Sequence, residues 1–227
     1  MLCLKVPTDG AWAAAALREA DAVLVDHAHC ELKAASNALS LVARHPGDPA
    51  LAQALTDLAR EEIEHFQRVM TVLAARGVPL GPPPVDAYAA ALRRAAHVLP
   101  RRPSVTGLVD RLLVAAVIEA RSCERFQLLA EEARGPFAAP APASAFAPAS
   151  ALAPAPGRGG SELHALWQEL LAAEARHYRT FVDLAVQAAG DRPTVVARLD
   201  ELAEAEGAIV MALARGGDEV SRAMIHG

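Results

Sequence analysis

Aromatic side chains make up only 4% of the 227 residues, although 53% are hydrophobic. Alanine, leucine and valine therefore supply most of the apolar surface, and the first two are strong helix formers. No stretch alternates apolar and polar residues with period two, which argues against a sheet. Cysteine is nearly absent. Cys3, Cys30 and Cys123 are odd in number and share no close spacing, so a disulfide framework and a cysteine-based zinc site are both disfavoured. No apolar run approaches the ~18 residues of a membrane span. The first residues, "MLCLKVPTDGAW", lack the basic-plus-apolar pattern of a secretory signal. A cytoplasmic protein without a membrane segment is expected. Positive charge is not in excess either. A net charge of −5 excludes a globally basic nucleic-acid binder but leaves room for a local basic patch.

What is present reads as a series of long helices. Thr8 or Asp9 can cap a first helix running to about Arg44, before "HPGDP". A second runs from about Pro49 to Arg76 and stops at Gly77. The connector "GVPLGPPPVD" leads to a short helix, "AYAAALRRAAHV". After "LPRRPS", Ser104 can cap a third long helix ending near Gly135. A fourth is expected from about Ser161 to Gly190, and a last from about Pro193 to Arg215. The fold class is therefore all-α, in one domain over residues 1–227. Residues 136–160 are almost entirely Pro, Ala, Ser and Gly. Proline at that density prevents a helix, so this low-complexity insertion is expected to be a surface loop.

Two helices carry the same short pattern. "EIEHF" (62–66) and "EARHY" (174–178) both place a Glu three residues before a His, with an aromatic next. Residues i and i+3 share a helix face, so each pattern can offer a carboxylate and an imidazole to one ion. Two such motifs recur by chance in a chain this size; their placement near the middle of the second and fourth long helices is what matters. A two-metal site in a four-helix bundle needs one further Glu from each of the other two helices. The first helix offers Glu31, as far from the helix end at Arg44 as Glu62 is from the start at Pro49. In an antiparallel hairpin those equal lengths set the two carboxylates at one level. The third helix offers Glu119 and Glu124. Helix lengths and an apolar neighbourhood favour Glu119, while the "CE" shared by 30–31 and 123–124 keeps Glu124 in contention. The candidate ligands are thus Glu31, Glu62, His65, Glu119, Glu174 and His177. Such an oxygen- and nitrogen-donor set suits iron or manganese. His27 and His29 fall on the same helix as Glu31, as supporting or polar-face residues. His45, His97, His164 and His226 read as loop or surface groups.

The blocks "DHAHCELKAASNALSL" (26–41), "LAREEIEHFQRV" (58–69), "LLVAAVIEARSCERFQLLA" (112–130) and "EARHYRTF" (174–181), in this order, closely resemble the MiaE family of tRNA hydroxylases. The resemblance spans nearly the whole chain apart from 136–160. It implies a ferritin-like four-helix bundle with additional short and C-terminal helices, two non-haem iron ions, and dioxygen as co-substrate. The implied reaction is hydroxylation of the isopentenyl group of 2-methylthio-N6-isopentenyladenosine beside the tRNA anticodon. The implied partners are tRNA and an electron-donating reductase or ferredoxin. The ligand set alone also suits a ferroxidase, an iron store or a peroxide-handling protein. Ala28, Ala35, Ala115 and Ala116 are small residues expected to leave room for a prenyl chain. Arg93, Arg94, Arg101 and Arg102, with Arg60, Arg68, Arg121 and Arg125 nearer the ligand helices, are candidates for phosphate contacts.

Overall fold

The computed structural model describes residues 2–134 and 158–216. Among these it forms seven helices and no strand: α1 (Trp12–Arg18), α2 (Ala20–Arg44), α3 (Pro49–Ala75), α4 (Ala87–Val98), α5 (Gly107–Glu132), α6 (Arg158–Ala189) and α7 (Arg192–Gly216). Local chemistry sets several of the ends. Asp48 caps α3 by accepting the Leu51 amide at 2.9 Å, with Pro49 in the first turn, where its missing N–H costs nothing. Asp86 does the same for α4 through Ala89. The far end of α3 closes on Gly77, whose φ of +70° is the left-handed region, and the Val78 amide turns back to the Leu73 carbonyl at 2.9 Å.

Three boundaries differ from those expected of the sequence. The first long helix is broken at Glu19 into α1 and α2. No Gly or Pro causes the break; α1 packs its buried Trp12 toward α5, whereas α2 runs along α3. The cap of α5 is Thr106, accepting from Val109 at 3.3 Å, and not Ser104. α6 begins at Arg158, so it takes in Gly159 and Gly160, which composition alone assigns to the insertion. The rest of that insertion, like His226, lies outside the described residues.

α2 pairs with α3, and α5 with α6. Both pairs are antiparallel. Glu31 meets His65 while Asp21 meets Arg76. Phe126 stacks on Trp167 while Cys123 faces the Leu171 carbonyl. The four helices enclose two apolar clusters. One contains Leu41, Leu55, Leu58, Val117 and Phe181. The other contains Leu24, Val69, Leu73, Phe126 and Trp167. Between them, α2, α3 and α6 each interrupt their apolar stripe at one height, with Glu31, with Glu62 and His65, and with Glu174 and His177. On α5 the interruption is Glu119.

α4 and α7 lie outside this bundle and are locked to it by ion pairs. Arg121 of α5 is fully buried. It donates to both oxygens of Glu206 on α7 at 2.7 and 2.8 Å and to the Val6 carbonyl at 2.9 Å. Glu206 also accepts from Tyr88 of α4 at 3.0 Å. Arg198 of α7 holds Asp110 and the carbonyls of Ala96 and Pro100, which fixes the α4–α5 connection.

Candidate metal centre

Six side chains from four helices converge in the polar layer. Glu31, Glu62, His65, Glu119, Glu174 and His177 are all at least nine-tenths buried. The spacing within each Glu-x-x-His puts both groups on one face, and the antiparallel pairing puts the faces together. His177 Nδ1 is 3.1 Å from Glu62 Oε1, and His65 Nδ1 is 3.6 Å from Glu62 Oε2 and 3.9 Å from Glu31 Oε1. Three sets of donors lie close enough together to hold an ion: His27 with Glu31 and Glu174; Glu31 with Glu62 and His65; and Glu62 with Glu119 and His177.

Glu119 and Glu124 lie in different surroundings. Glu119 points into the cluster beside Glu174. Glu124 turns outward, accepting the Thr8 amide at 3.1 Å and its hydroxyl at 2.7 Å, and pairs with Arg121. Glu124 therefore tethers the N-terminal segment.

Four carboxylates in one buried layer cannot all ionise at ordinary cost. Burial first, and then the neighbouring Glu62 carboxylate, pushes the Glu31 carboxyl well up. Burial and Glu174 do the same to Glu119, and burial raises Glu174. Burial also works against Glu62, but contacts from Glu31, His177 and His65 prevail and hold it below the usual carboxylate range. Burial pulls His177 down, yet Glu62 and Glu174 lift it to about 9. Despite these close approaches, Glu31 Oε1, both oxygens of Glu62, Glu174 Oε2, His65 Nδ1 and His177 Nδ1 lack a hydrogen-bond partner. Buried polar atoms are rarely left so. A pair of cations would satisfy them and offset the clustered negative charge, so the donor set fits a two-metal centre.

Two supporting groups complete the layer. Glu61 Oε2 lies 3.1 Å from His177 Nε2, the ring nitrogen turned away from the cluster, and also accepts from Arg176. A carboxylate in that place fixes ring orientation and raises the basicity of the other nitrogen. The sequence signal for it is the doubled glutamate at 61–62, of which only Glu62 was expected to take part. His27 Nε2 lies 2.7 Å from Glu31 Oε1, its ring edge-on to Phe126.

From the cluster a cavity of about 900 Å³ opens between α2, α4 and α5. Its floor includes Glu31, Glu62, Glu119 and Glu174, and its walls include Ala34, Ala89, Ala90, Val114, Ala115 and Ile118. Of the four alanines expected to make room, Ala115 lines this space. Ala28, Ala35 and Ala116 are buried in the apolar clusters instead. At the mouth stand Lys33, Arg93, Arg94, His97 and Arg111. Burial, with the like charges of Arg44 and Arg93, lowers the pKa of Arg111.

Most of the other arginines singled out from sequence have structural partners. Arg102 pairs with Glu201, Arg68 with Glu169, and Arg60 with Asp57 and Glu64. Arg121 and Arg125 are buried, the latter 5.0 Å above the Trp12 ring. Arg101 is exposed and does not line the cavity.

A bundle of four long helices with a carboxylate–histidine layer at mid-height, able to hold metal ions, and a largely apolar pocket reaching it defines a ferritin-like fold. A solved structure described as "Protein 43 with aldehyde deformylating oxygenase activity from Synechococcus" superposes with a TM-score of 0.77 at 35% identity, over 100% of this chain and 96% of that one. The model of the family tRNA-(MS[2]IO[6]A)-hydroxylase (MiaE) matches residues 1–138 and 150–217, and the chain belongs to that family of enzymes. Two relatives are each called tRNA 2-(methylsulfanyl)-N(6)-isopentenyladenosine(37) hydroxylase. The one from Pseudomonas putida is 39% identical over 80% of this chain and 74% of its own. The one from Salmonella typhimurium is 28% identical over 92% of this chain and 83% of its own. No described helix is long and apolar enough to cross a membrane.

Proposed function

We propose that Glu31, Glu62, His65, Glu119, Glu174 and His177 hold two iron ions. The enzyme they form hydroxylates the isopentenyl group of 2-methylthio-N6-isopentenyladenosine beside the tRNA anticodon. The observation that carries this reading is the apolar cavity, which joins a buried carboxylate–histidine layer to a mouth set with cations. A bound iron pair would supply activation of dioxygen: with two electrons from a reductase or ferredoxin and two protons from solvent, one oxygen atom would enter a C–H bond and the other leave as water.

The chain supplies the rest. Ala34, Ala90, Ala115, Val114 and Ile118 form walls that a prenyl group can fill while excluding water. Arg93, Arg94 and Arg111, with Arg44 beside them, crowd like charges where a polyanion would relieve the repulsion. Glu61 orients His177. A ferroxidase or iron store needs only a path for ions, which such an apolar cavity exceeds. An aldehyde, the substrate class of the Synechococcus protein's named activity, would suit the walls but leaves the arginines without a role.

The test is nucleoside analysis of tRNA bearing the prenylated adenosine after incubation with iron-loaded protein, dioxygen and a reductant. A gain of one oxygen on the prenyl group is expected. An unchanged nucleoside, with turnover of an aldehyde instead, would select the other substrate.

A further inference from the structure

The mouth of the cavity has two unlike sides. Along α4 and α5 stand Arg93, Arg94 and Arg111, while the acids there, Asp86 and Asp110, are paired with Lys33 and Arg198. On α2 the mouth passes, at Lys33 and Asn37, into a second and shallower groove of about 480 Å³. His29, Lys33, Ser36, Asn37 and Ser40 line this groove, with Pro83 of the α3–α4 connector. The α2 positions follow helical spacing and make one stripe. A polar stripe on an outer helix face is ordinarily just solvated. His29 departs from that: it is 7% exposed, and its Nε2 has no hydrogen-bond partner. Such an atom stays buried at a cost that a ligand's hydrogen bond would remove.

We propose that this groove is a nucleotide subsite. It takes the ribose or base edge of the ribonucleotide flanking the one whose prenyl group enters the cavity. The inference rests on the proposed function, since a polynucleotide with one side chain in the cavity must leave through the mouth on both sides. Lys33 is already engaged by Asp86 at 3.2 Å. The groove's remaining polar groups are therefore an imidazole, an amide and two hydroxyls. These match sugar hydroxyls and base edges, whereas phosphates match the arginines opposite.

The experiment uses an RNA hairpin with an anticodon loop carrying the prenylated adenosine, turned over by the iron-loaded full chain. Three variants are compared: His29→Ala, His29→Gln and Ser36→Phe. Ser36 is exposed, so the phenyl ring fills the groove without disturbing the core. His29→Ala and Ser36→Phe are expected to raise KM for the hairpin about fivefold to tenfold, the worth of a lost hydrogen bond. Bound iron per chain stays the same. His29→Gln keeps a side-chain donor and acceptor and recovers most of the loss. If His29→Ala loses iron, Ser36→Phe decides. Wild-type turnover with the same KM in Ser36→Phe overturns the subsite and leaves the proposed function standing. No turnover by the wild type overturns both.

Discussion

Glu124 is tied to Thr8 and Arg121 at the edge of the bundle, whereas Glu119, five positions earlier on the same helix, faces Glu174 in the buried layer. Their substitutions should therefore separate cleanly. Glu119→Gln is expected to lower bound iron below about two per chain and to abolish hydroxylation, because it removes a charged donor from a four-carboxylate set. Glu124→Gln should keep its iron but lose about 2 kcal/mol of stability, the scale of hydrogen bonds to a charged group. Metal analysis and urea unfolding of the two proteins check this. Iron retained in Glu119→Gln would contradict the assignment.

Among the elements, α4 matters because it is a wall of the cavity and not part of the bundle. It is held from behind by Glu206 on Tyr88 and by Arg198 on the carbonyl of Ala96. Ala90 is half-buried and lines the cavity, so Ala90→Phe should narrow it without forcing the core. The expected outcome is full iron loading with at least a tenfold fall in kcat/KM, a contribution of about 1.4 kcal/mol. Equal turnover would show that the substrate enters elsewhere. Elements also differ in how much of them the sequence makes legible. The matching heights of Glu31 and Glu62 on α2 and α3 can be read because both helices end where their cap and connector residues say: Arg44, Asp48 and Pro49. The break at Glu19 carries no local signal, since it comes from α1 and α2 packing on different helices. Ala115 and Ala116 are equally small and both join the apolar cluster, but the 100° turn between successive residues brings only Ala115 to the cavity as well. Which arginines are free for phosphate depends on distant acids such as Glu201 and Glu206. Helical periodicity says nothing of those partners.

For the molecule as a whole, the carboxylate–histidine layer sits between two apolar clusters that both draw on the same four helices. The family pattern resumes after the gap at 139–149. Deleting that stretch should leave iron content and hydroxylation within about twofold, because the family pattern does without it. A single unfolding transition is expected for the one domain, followed by circular dichroism. The central claim is that six side chains hold two ions in one shared site. Mössbauer spectroscopy of the protein loaded with iron-57 measures that directly. The predicted result is about two irons per chain, magnetically coupled to each other and lost together in Glu62→Ala. One iron per chain, or isolated uncoupled ions indifferent to Glu62, would contradict it.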